Sequence, residues 1–443
     1  MRRFIALFLS LLLVLAAPAA ACAEEPPFAL PVQVGTGSIL VRARLDGYDN
    51  NLYLSLSDLS AALSGTEKQF FFALTRSESD GEIFHVITGQ PAAAPTAAVE
   101  GSPRRIDTLY PVRNRLFLDG RECRYYTCRS GNELYMSLTD IQLLLDLSIS
   151  LEPDGSLRLN PAQRFCPSPQ ELEAGGFFEA VSAVLLADAA TGEILYARGS
   201  ERSLPIGSLS KLMAYLLIAE DVNAGRFGLN DAVPISEKAA ELSQLPDAQI
   251  EFEAGQTVPF TELLDGMLLA SSNESALALA EYCEGSEGAF VARMNRRAAQ
   301  LELTSAVFRS VHGLPVYTGS AVPAKLQNCM SADDLFTLSR YLLETYPALV
   351  TRTSRQYAKL PSLDYVTANS NPLVFNLPGV NGLKTGNTTR AGYCLSASLP
   401  LSLFGERHTL LAVVLGAETP ALRNQTAQLL LRWGQDQLFS RAG

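Results

Sequence analysis

Hydrophobic and polar positions alternate along the first third of the chain and fall on helical spacing along much of the rest. Over residues 27–164 the alternation is that of half-buried strands, interrupted by two short helical turns. An internal repeat lies within it. Asn51-Leu52-Tyr53-Leu54-Ser55-Leu56-Ser57-Asp58-Leu59 recurs as Glu133-Leu134-Tyr135-Met136-Ser137-Leu138-Thr139-Asp140-Ile141. Each copy reads as a strand running into a Ser/Thr-Asp helix start, and each follows a Leu-Asp-Gly turn signal at 45–47 or 118–120. Two copies are too few for a solenoid and fit a duplicated α+β module, placed at residues 24–165. The alanine- and proline-rich stretch 91–103 between the copies is expected to be a loop. Cys166-Pro167-Ser168-Pro169 and Gly175-Gly176 mark a linker over 166–177, leaving 178–443 as a second domain.

That second domain opens with two strands, at 183–188 and 192–197, joined by a tight turn. Pro205 and Gly207 then precede a run that is apolar on nearly every side through Ala219, the mark of a buried helix. Residues 260–283 read as two helices interrupted at Ser271-Ser272-Asn273-Glu274, where Ser271 and Glu274 have capping-box spacing. An amphipathic helix around 290–295 follows, and Ser331-Ala332-Asp333-Asp334 caps another helix running to about Leu343. Residues 379–387 and 393–399 read as strands, and 410–415 as a further strand beside them. A strand hairpin feeding a core helix predicts an α+β domain whose sheet carries helices on its faces.

Composition narrows the class of partner. Hydrophobic residues make up 47% and charged residues 18% of the 443, as in a globular protein. A net charge of −11 with no basic run argues against nucleic acid as a partner and against simple adhesion to anionic lipid. The seven cysteines form no Cys-x-x-Cys pair and the three histidines are scattered, so no metal site and no cofactor are expected. Cys123 and Cys128 alone are close enough in sequence for a small disulfide loop. Residues 1–23 read as an export signal: Arg2 and Arg3, an apolar run over 4–17, then Ala21-Cys22-Ala23 as the cleavage site. Ala19 stands where an acylated Cys22 would be preceded by leucine, which argues against lipidation. The mature protein is therefore expected to be extracytoplasmic.

Three stretches carry candidate chemistry. Ser208 and Lys211 lie three apart in the first turn of the buried helix, hence on one face. A buried amine tends to give up its proton, and a neutral lysine beside a hydroxyl is a general base beside a nucleophile. The helix start adds N–H groups where an oxyanion would form. Ser271 and Asn273 place a hydroxyl and a carboxamide together at a helix junction, suited to a proton relay and to holding an amide carbonyl. On a strand, Lys384 offers a fixed positive charge, Thr385 a hydroxyl and Gly386 room for close backbone approach, which together can clamp the carboxylate of an extended peptide. Read alone, each has a plainer explanation: a helix cap, a capping box and a solubilising edge lysine. His312 has no acid with orienting spacing beside it and is read as structural.

Taken in order, Ser208-x-x-Lys211, Ser271-x-Asn273 and Lys384-Thr385-Gly386 are the motif set of penicillin-binding proteins and serine β-lactamases. With residues 380–395 and Val311-His312-Gly313-Leu314, the stretch from 178 onward resembles the low-molecular-mass D-alanyl-D-alanine carboxypeptidases of peptidase family S11. The resemblance implies a β-lactamase/transpeptidase-like domain, an antiparallel sheet flanked by helices plus a helical subdomain. It also implies removal of the terminal D-alanine from peptidoglycan stem peptides ending in D-Ala-D-Ala, with β-lactams as covalent inhibitors. Ser208 would be the nucleophile, and Lys211, kept neutral partly by Lys384, the base. Ser271 would pass a proton to the leaving D-alanine and Asn273 orient the substrate. Lys384 and Thr385 would bind its carboxylate, and the N–H groups of Ser208 and Asn387 form the oxyanion hole. Residues 24–165 resemble the N-terminal domain of copper amine oxidases and are expected to be a spacer or binding module.

Three departures from the family pattern stand out. Ser272 occupies the middle of the Ser-x-Asn motif, where many relatives have glycine. Thr409, with Arg407 and His408 alongside, fills the place of an arginine that binds the substrate carboxylate in some relatives. The chain stops soon after Trp433 with no C-terminal membrane anchor evident. Two other readings share the motifs: a serine β-lactamase, although the Glu-x-x-Leu-Asn loop such an enzyme needs is missing downstream of Asn273, and a catalytically inactive penicillin or peptidoglycan sensor.

Overall fold

A computed structural model describes residues 28–45, 52–77, 81–92, 112–113, 115–130, 132–246, 248–317, 325–403 and 405–442. The export signal read at 1–23 and most of the loop read at 91–103 lie outside the described residues. The chain divides into two compact units, 1–176 and 177–443.

In the first unit the two repeat copies become neighbouring strands. Leu52–Ser55 and Glu133–Ser137 pair antiparallel with Leu54 opposite Met136, at the centre of an eight-stranded sheet. Each strand runs directly into a short helix, Leu56–Ala62 or Leu138–Leu145. The caps differ from the Ser/Thr-Asp starts read from the sequence. Ser55 and Ser137, the last strand residues, accept the N–H of Asp58 and Asp140, each cap contributing about 1 kcal/mol. Leu54, Leu56, Leu59, Met136 and Ile141 fill the core between this sheet and a smaller four-stranded one. Arg42 joins the copies, 2.7 Å from Asp58 of the first and 3.0 Å from Glu133 of the second. The hydrogen bond to Asp58 holds its guanidinium above its ordinary pKa. Cys123 and Cys128 are not joined in a disulfide, and their strands belong to different sheets.

The second unit is built on a five-stranded antiparallel sheet. Its strands are β1 (Ala183–Asp188), β2 (Ile194–Arg198), β3 (Gly382–Thr388), β4 (Gly392–Leu403) and β5 (Glu406–Ala417), in the spatial order β2-β1-β5-β4-β3. β1 is buried at every position because both faces of the sheet are covered, which is why it reads as an unbroken apolar run. Ala183, Leu185 and Ala187 of β1 and Leu411, Val413 and Leu415 of β5 join the helical core on one face. On the other face lies helix α6 (Pro420–Ala442), where Gly434 lets the helix backbone approach Leu186 and Leu410. The 410–415 stretch belongs to β5 and pairs with β1 and β4 rather than with the Lys-Thr-Gly strand; β4 stands between them. β3 is thus the sheet edge.

The helical side holds α1 (Lys211–Asn223), α2 (Phe260–Asp265), α3 (Asn273–Glu284), α4 (Glu287–Gln300) and α5 (Ala332–Thr345). α1 is buried on all sides, with Leu212, Met213, Leu216 and Leu217 fully enclosed. Burying such side chains contributes roughly 1.5–3 kcal/mol each, enough to hold a lysine at its first position out of water. Ser331 caps α5 by accepting the N–H of Asp334. Among the described residues no helix is long and apolar enough to cross a membrane.

Candidate active site

Ser208 does not sit in the α-helix proper. Gly207–Ser210 form a tighter 3-10 turn and α1 begins at Lys211. The three-residue spacing still brings the two side chains together, since a 3-10 turn stacks positions three apart. Lys211 Nζ lies 2.7 Å from Ser208 Oγ, 2.8 Å from Asn273 Oδ1 and 3.1 Å from the carbonyl oxygen of His312. Ser208 is half-buried and Lys211 is 0% exposed.

Burial brings the Lys211 amine down to about 7, against a smaller upward pull from Glu274. A neutral amine has two N–H groups and one lone pair. The Asn273 and His312 carbonyl oxygens can only accept, so they take the two N–H groups. The lone pair is left for the Ser208 hydroxyl, the orientation a general base requires.

Backbone meets backbone around this pair. A side chain on Gly386 of β3 would come within 3.1 Å of Ser208 N and 3.0 Å of Leu209 N. One on Gly207 would come within 3.1 Å of Asn387 N. Gly313, in a left-handed conformation at φ +93°, presses on the Gly207 carbonyl. Two segments remote in sequence, β3 at 386–387 and the loop at Gly313, therefore close on the Ser208 turn, with Asn387 N packed near Gly207. Gly313→Ala is expected to cost about 1–3 kcal/mol of stability from backbone strain alone and to slow any acylation of Ser208. Thermal melting together with acylation kinetics would check both.

Lys384 and Thr385 are likewise buried on the edge strand. Lys384 Nζ donates to the Thr385 carbonyl at 3.0 Å, and burial, with Lys211 and then Arg423 behind it, holds its pKa well below the ordinary lysine value. The like-charge effect expected on Lys211 thus falls on Lys384, while Lys211 owes its shift to burial. Ser271 ends the preceding π-helical turn in a left-handed conformation at φ +66°. The α3 cap is Ser272, which accepts the N–H of Ser275, rather than the Ser271–Glu274 box. Among the described residues the Ser271 hydroxyl makes no hydrogen bond, whereas Asn273, first residue of α3, reaches Lys211 directly.

Several contributors carry no sequence motif. Asn328, fully buried, donates to Ser210 Oγ and the Ser310 carbonyl and accepts the N–H groups of Arg309 and Ser310, tying the His312 loop to the Ser208 turn. Ser370 accepts the Thr385 hydroxyl at 2.8 Å. His312, read as lacking an acid neighbour, has Glu287 at 3.5 Å from Nε2. Its Nδ1 accepts the Leu314 N–H, so the neutral ring carries its proton on Nε2, and burial lowers its pKa to about 4. Arg407, His408 and Thr409 do not reach the cleft. His408 and Thr409 bond Asp188 and pair with 400–401, whereas Lys384 aligns with Ser396 and Val413 further along the sheet. Among the described residues no three metal-ligating side chains cluster.

A family model described as D-alanyl-D-alanine carboxypeptidase (peptidase S11) matches residues 170–419. The chain is 34% identical over 256 residues to the D-alanyl-D-alanine carboxypeptidase DacF of Bacillus subtilis, covering 57% of this chain and 61% of that protein. It is 32% identical over 275 residues to DacD of Escherichia coli, covering 61% and 65%. The match therefore spans less than two thirds of these relatives' length. Among solved structures, penicillin-binding protein 6B from Escherichia coli superposes with a TM-score of 0.52 at 30% identity, covering 61% of this chain and 80% of that one. The ampicillin-bound penicillin-binding protein D2 from Listeria monocytogenes gives 0.50 at 27%, covering 58% and 97%.

Proposed function

The chain belongs to the D-alanyl-D-alanine carboxypeptidase family, and from that premise we propose that it removes the terminal D-alanine from peptidoglycan stem peptides through a Ser208 acyl-enzyme. The observation that carries the reading is the 2.7 Å contact between Ser208 Oγ and a fully buried Lys211 whose amine burial brings down to about 7.

In the forward step Ser208 Oγ bonds to the carbonyl carbon between the two D-alanines and its proton passes to Lys211. The oxyanion rests on the N–H groups of Ser208 and Asn387, worth about 3 kcal/mol per donor in acyl transfer. The carbon–nitrogen bond breaks as the leaving D-alanine nitrogen takes a proton relayed from Lys211 through Ser271. Asn273 holds the peptide as well as Lys211. Water then attacks the ester with Lys211 again as base, releasing the shortened peptide and free Ser208. Lys384 and Thr385 receive the terminal carboxylate on the edge strand β3, beside the Gly386 that packs on the Ser208 turn. An arriving carboxylate raises the Lys384 pKa, so binding is coupled to proton uptake there.

The remaining expectations belong to the same proposal. Residues 1–23 direct export, 24–165 form a spacer or binding module resembling the copper amine oxidase N-terminal domain, and 178–443 act on the outer side of the membrane. β-Lactams acylate Ser208 as substrate mimics. Intact-mass spectrometry after penicillin treatment is expected to show one covalent adduct mapping to the Ser208 peptide. A D-Ala-D-Ala peptide is expected to release one D-alanine. Rapid turnover of the penicillin would make the protein a β-lactamase instead, and an adduct without D-alanine release would make it a sensor.

A further inference from the structure

Glu287 is the first residue of α4, next to its cap Ser286, and has no part in the reaction above. Its two oxygens serve different elements. Oε2 accepts Nζ of the largely exposed Lys238, on helix Glu237–Ser243, at 2.6 Å. A pair of that kind contributes little to stability. Oε1 turns inward: it accepts the Val311 N–H at 3.2 Å and faces His312 Nε2 at 3.5 Å. The ring is fastened at its other nitrogen, where Nδ1 accepts the Leu314 N–H at 3.1 Å, so it turns its Nε2–H edge to Glu287. A helix start paired with a surface lysine needs nothing from the 310–314 loop. The inward oxygen is what that role leaves unexplained.

We propose that Glu287 is a positioning residue for the reaction at Ser208, holding the 311–312 backbone so that the His312 carbonyl meets the Lys211 amine. This rests on the carboxypeptidase reading of Ser208 and Lys211. The hydrogen bonds of the loop divide by origin. Asn328 accepts the N–H groups of Arg309 and Ser310, at the loop's entry. The Gly313 N–H goes to Ser310 Oγ and the Leu314 N–H to the His312 ring, both within the loop. The His312 carbonyl itself meets Lys211 Nζ and, more distantly, the Ser208 hydroxyl. Among the described residues, Glu287 is thus the outside side chain that fastens the loop backbone closest to that carbonyl, one residue ahead of it.

The orientation of the base depends on that carbonyl. Lys211 Nζ lies 3.1 Å from it, 2.8 Å from Asn273 Oδ1 and 2.7 Å from Ser208 Oγ. With one N–H on each of the two carbonyl oxygens, the lone pair falls to the serine hydroxyl. A His312 carbonyl turned away frees one N–H, which then donates to Ser208 Oγ. The amine becomes a donor to the nucleophile instead of the acceptor of its proton. Lys384 and Thr385, the proposed carboxylate site, bond to the Thr385 carbonyl and to Ser370 rather than to the loop. The loss of Glu287 is therefore expected in the acylation step and not in the binding that precedes it.

The test is rapid-mixing acylation by a penicillin, which separates the dissociation constant of the first complex from the limiting rate constant of acylation. It is run at about pH 8.5, where Lys211 is mostly neutral. Glu287→Ala is expected to lower the limiting rate constant by about 10–100-fold, the scale of a group misplaced by about 1 Å, with the dissociation constant within about twofold of wild type. Glu287→Gln keeps an oxygen for Val311 and the ring and gives up only the charge. It is expected to return the rate constant to within about threefold of wild type. An alanine loss smaller than about fivefold, a loss carried by the dissociation constant, or a glutamine variant closer to alanine than to wild type each overturns the inference. Should the alanine variant not fold, Glu287→Asp decides, since its carboxylate stops one methylene short of the loop. A rate constant lowered more than about threefold with wild-type binding supports the inference, and a smaller change overturns it. Wild-type protein that forms a Ser208 adduct yet is indifferent to Glu287 rejects this inference alone. Wild-type protein that forms no Ser208 adduct rejects the carboxypeptidase reading with it.

Discussion

Alanine at position 208 is expected to abolish labelling by a fluorescent penicillin and to cut D-alanine release by roughly a millionfold, the scale of losing an acyl-transfer nucleophile. The fold should survive. Ser208 is half-buried, and beyond Lys211 its hydroxyl makes one long bond, 3.4 Å to the His312 carbonyl. No nearby hydroxyl is placed to substitute. Ser210 is already committed to the Gly207 carbonyl and Asn328, and among the described residues Ser271 has no hydrogen bond to a base. Labelling that persisted and mapped to Ser271 or Ser210 would displace Ser208 from the mechanism.

Lys211→Met has the second largest expected effect, a fall in acylation of about 10²–10⁴-fold, the usual contribution of a positioned base. Its pH signature is more specific than its size. The Lys211 amine, ordinarily at 10.5, stands at about 7 in the fold. It is therefore mostly neutral above pH 7 and mostly protonated below, and only the neutral form can accept the serine proton. Wild-type acylation should rise with pH through 7 and fall about tenfold per unit on the acid side. Methionine fills the space without titrating, so the variant's profile should lose that limb. Stability should change little. The Asn273 and His312 carbonyls each lose a donor, at about 1–3 kcal/mol for a buried acceptor left unmatched, offset by no longer burying an amine. Acylation kinetics across pH, with thermal melting as the control, check both; a variant that keeps the limb would show that another group is the base.

Much of this site is legible in the sequence because its parts are local. Serine and lysine three apart at the head of an all-apolar helix must share a face, whichever helical form the first turn takes. A lysine and threonine between glycines, followed by an alternating run, mark a strand of the sheet. What is not legible is convergence over distance. Asn328 reaches back 118 residues to Ser210, Ser370 lies 15 residues before the threonine it supports, and Glu274 bonds a segment 24 and 25 residues upstream. Each is a single polar residue whose partner the chain pattern does not reveal. Arg407, His408 and Thr409 fail for the opposite reason. Counting along a strand suggested the right neighbourhood, but β4 and several residues of register separate them from Lys384. In the first unit the repeat was visible, whereas the antiparallel union of its two copies needed the sheet.

The meeting of Gly207, Gly313 and Gly386 has a bearing on when the protein becomes chemically competent. A partly folded chain with its helical nucleus formed, but the edge strand and the 310–314 loop unseated, has a hydrated lysine and a serine no more reactive than any other on its surface. Reactivity thus requires those long-range contacts to be closed, and local fraying at that sheet margin would extinguish it well before the chain as a whole came apart.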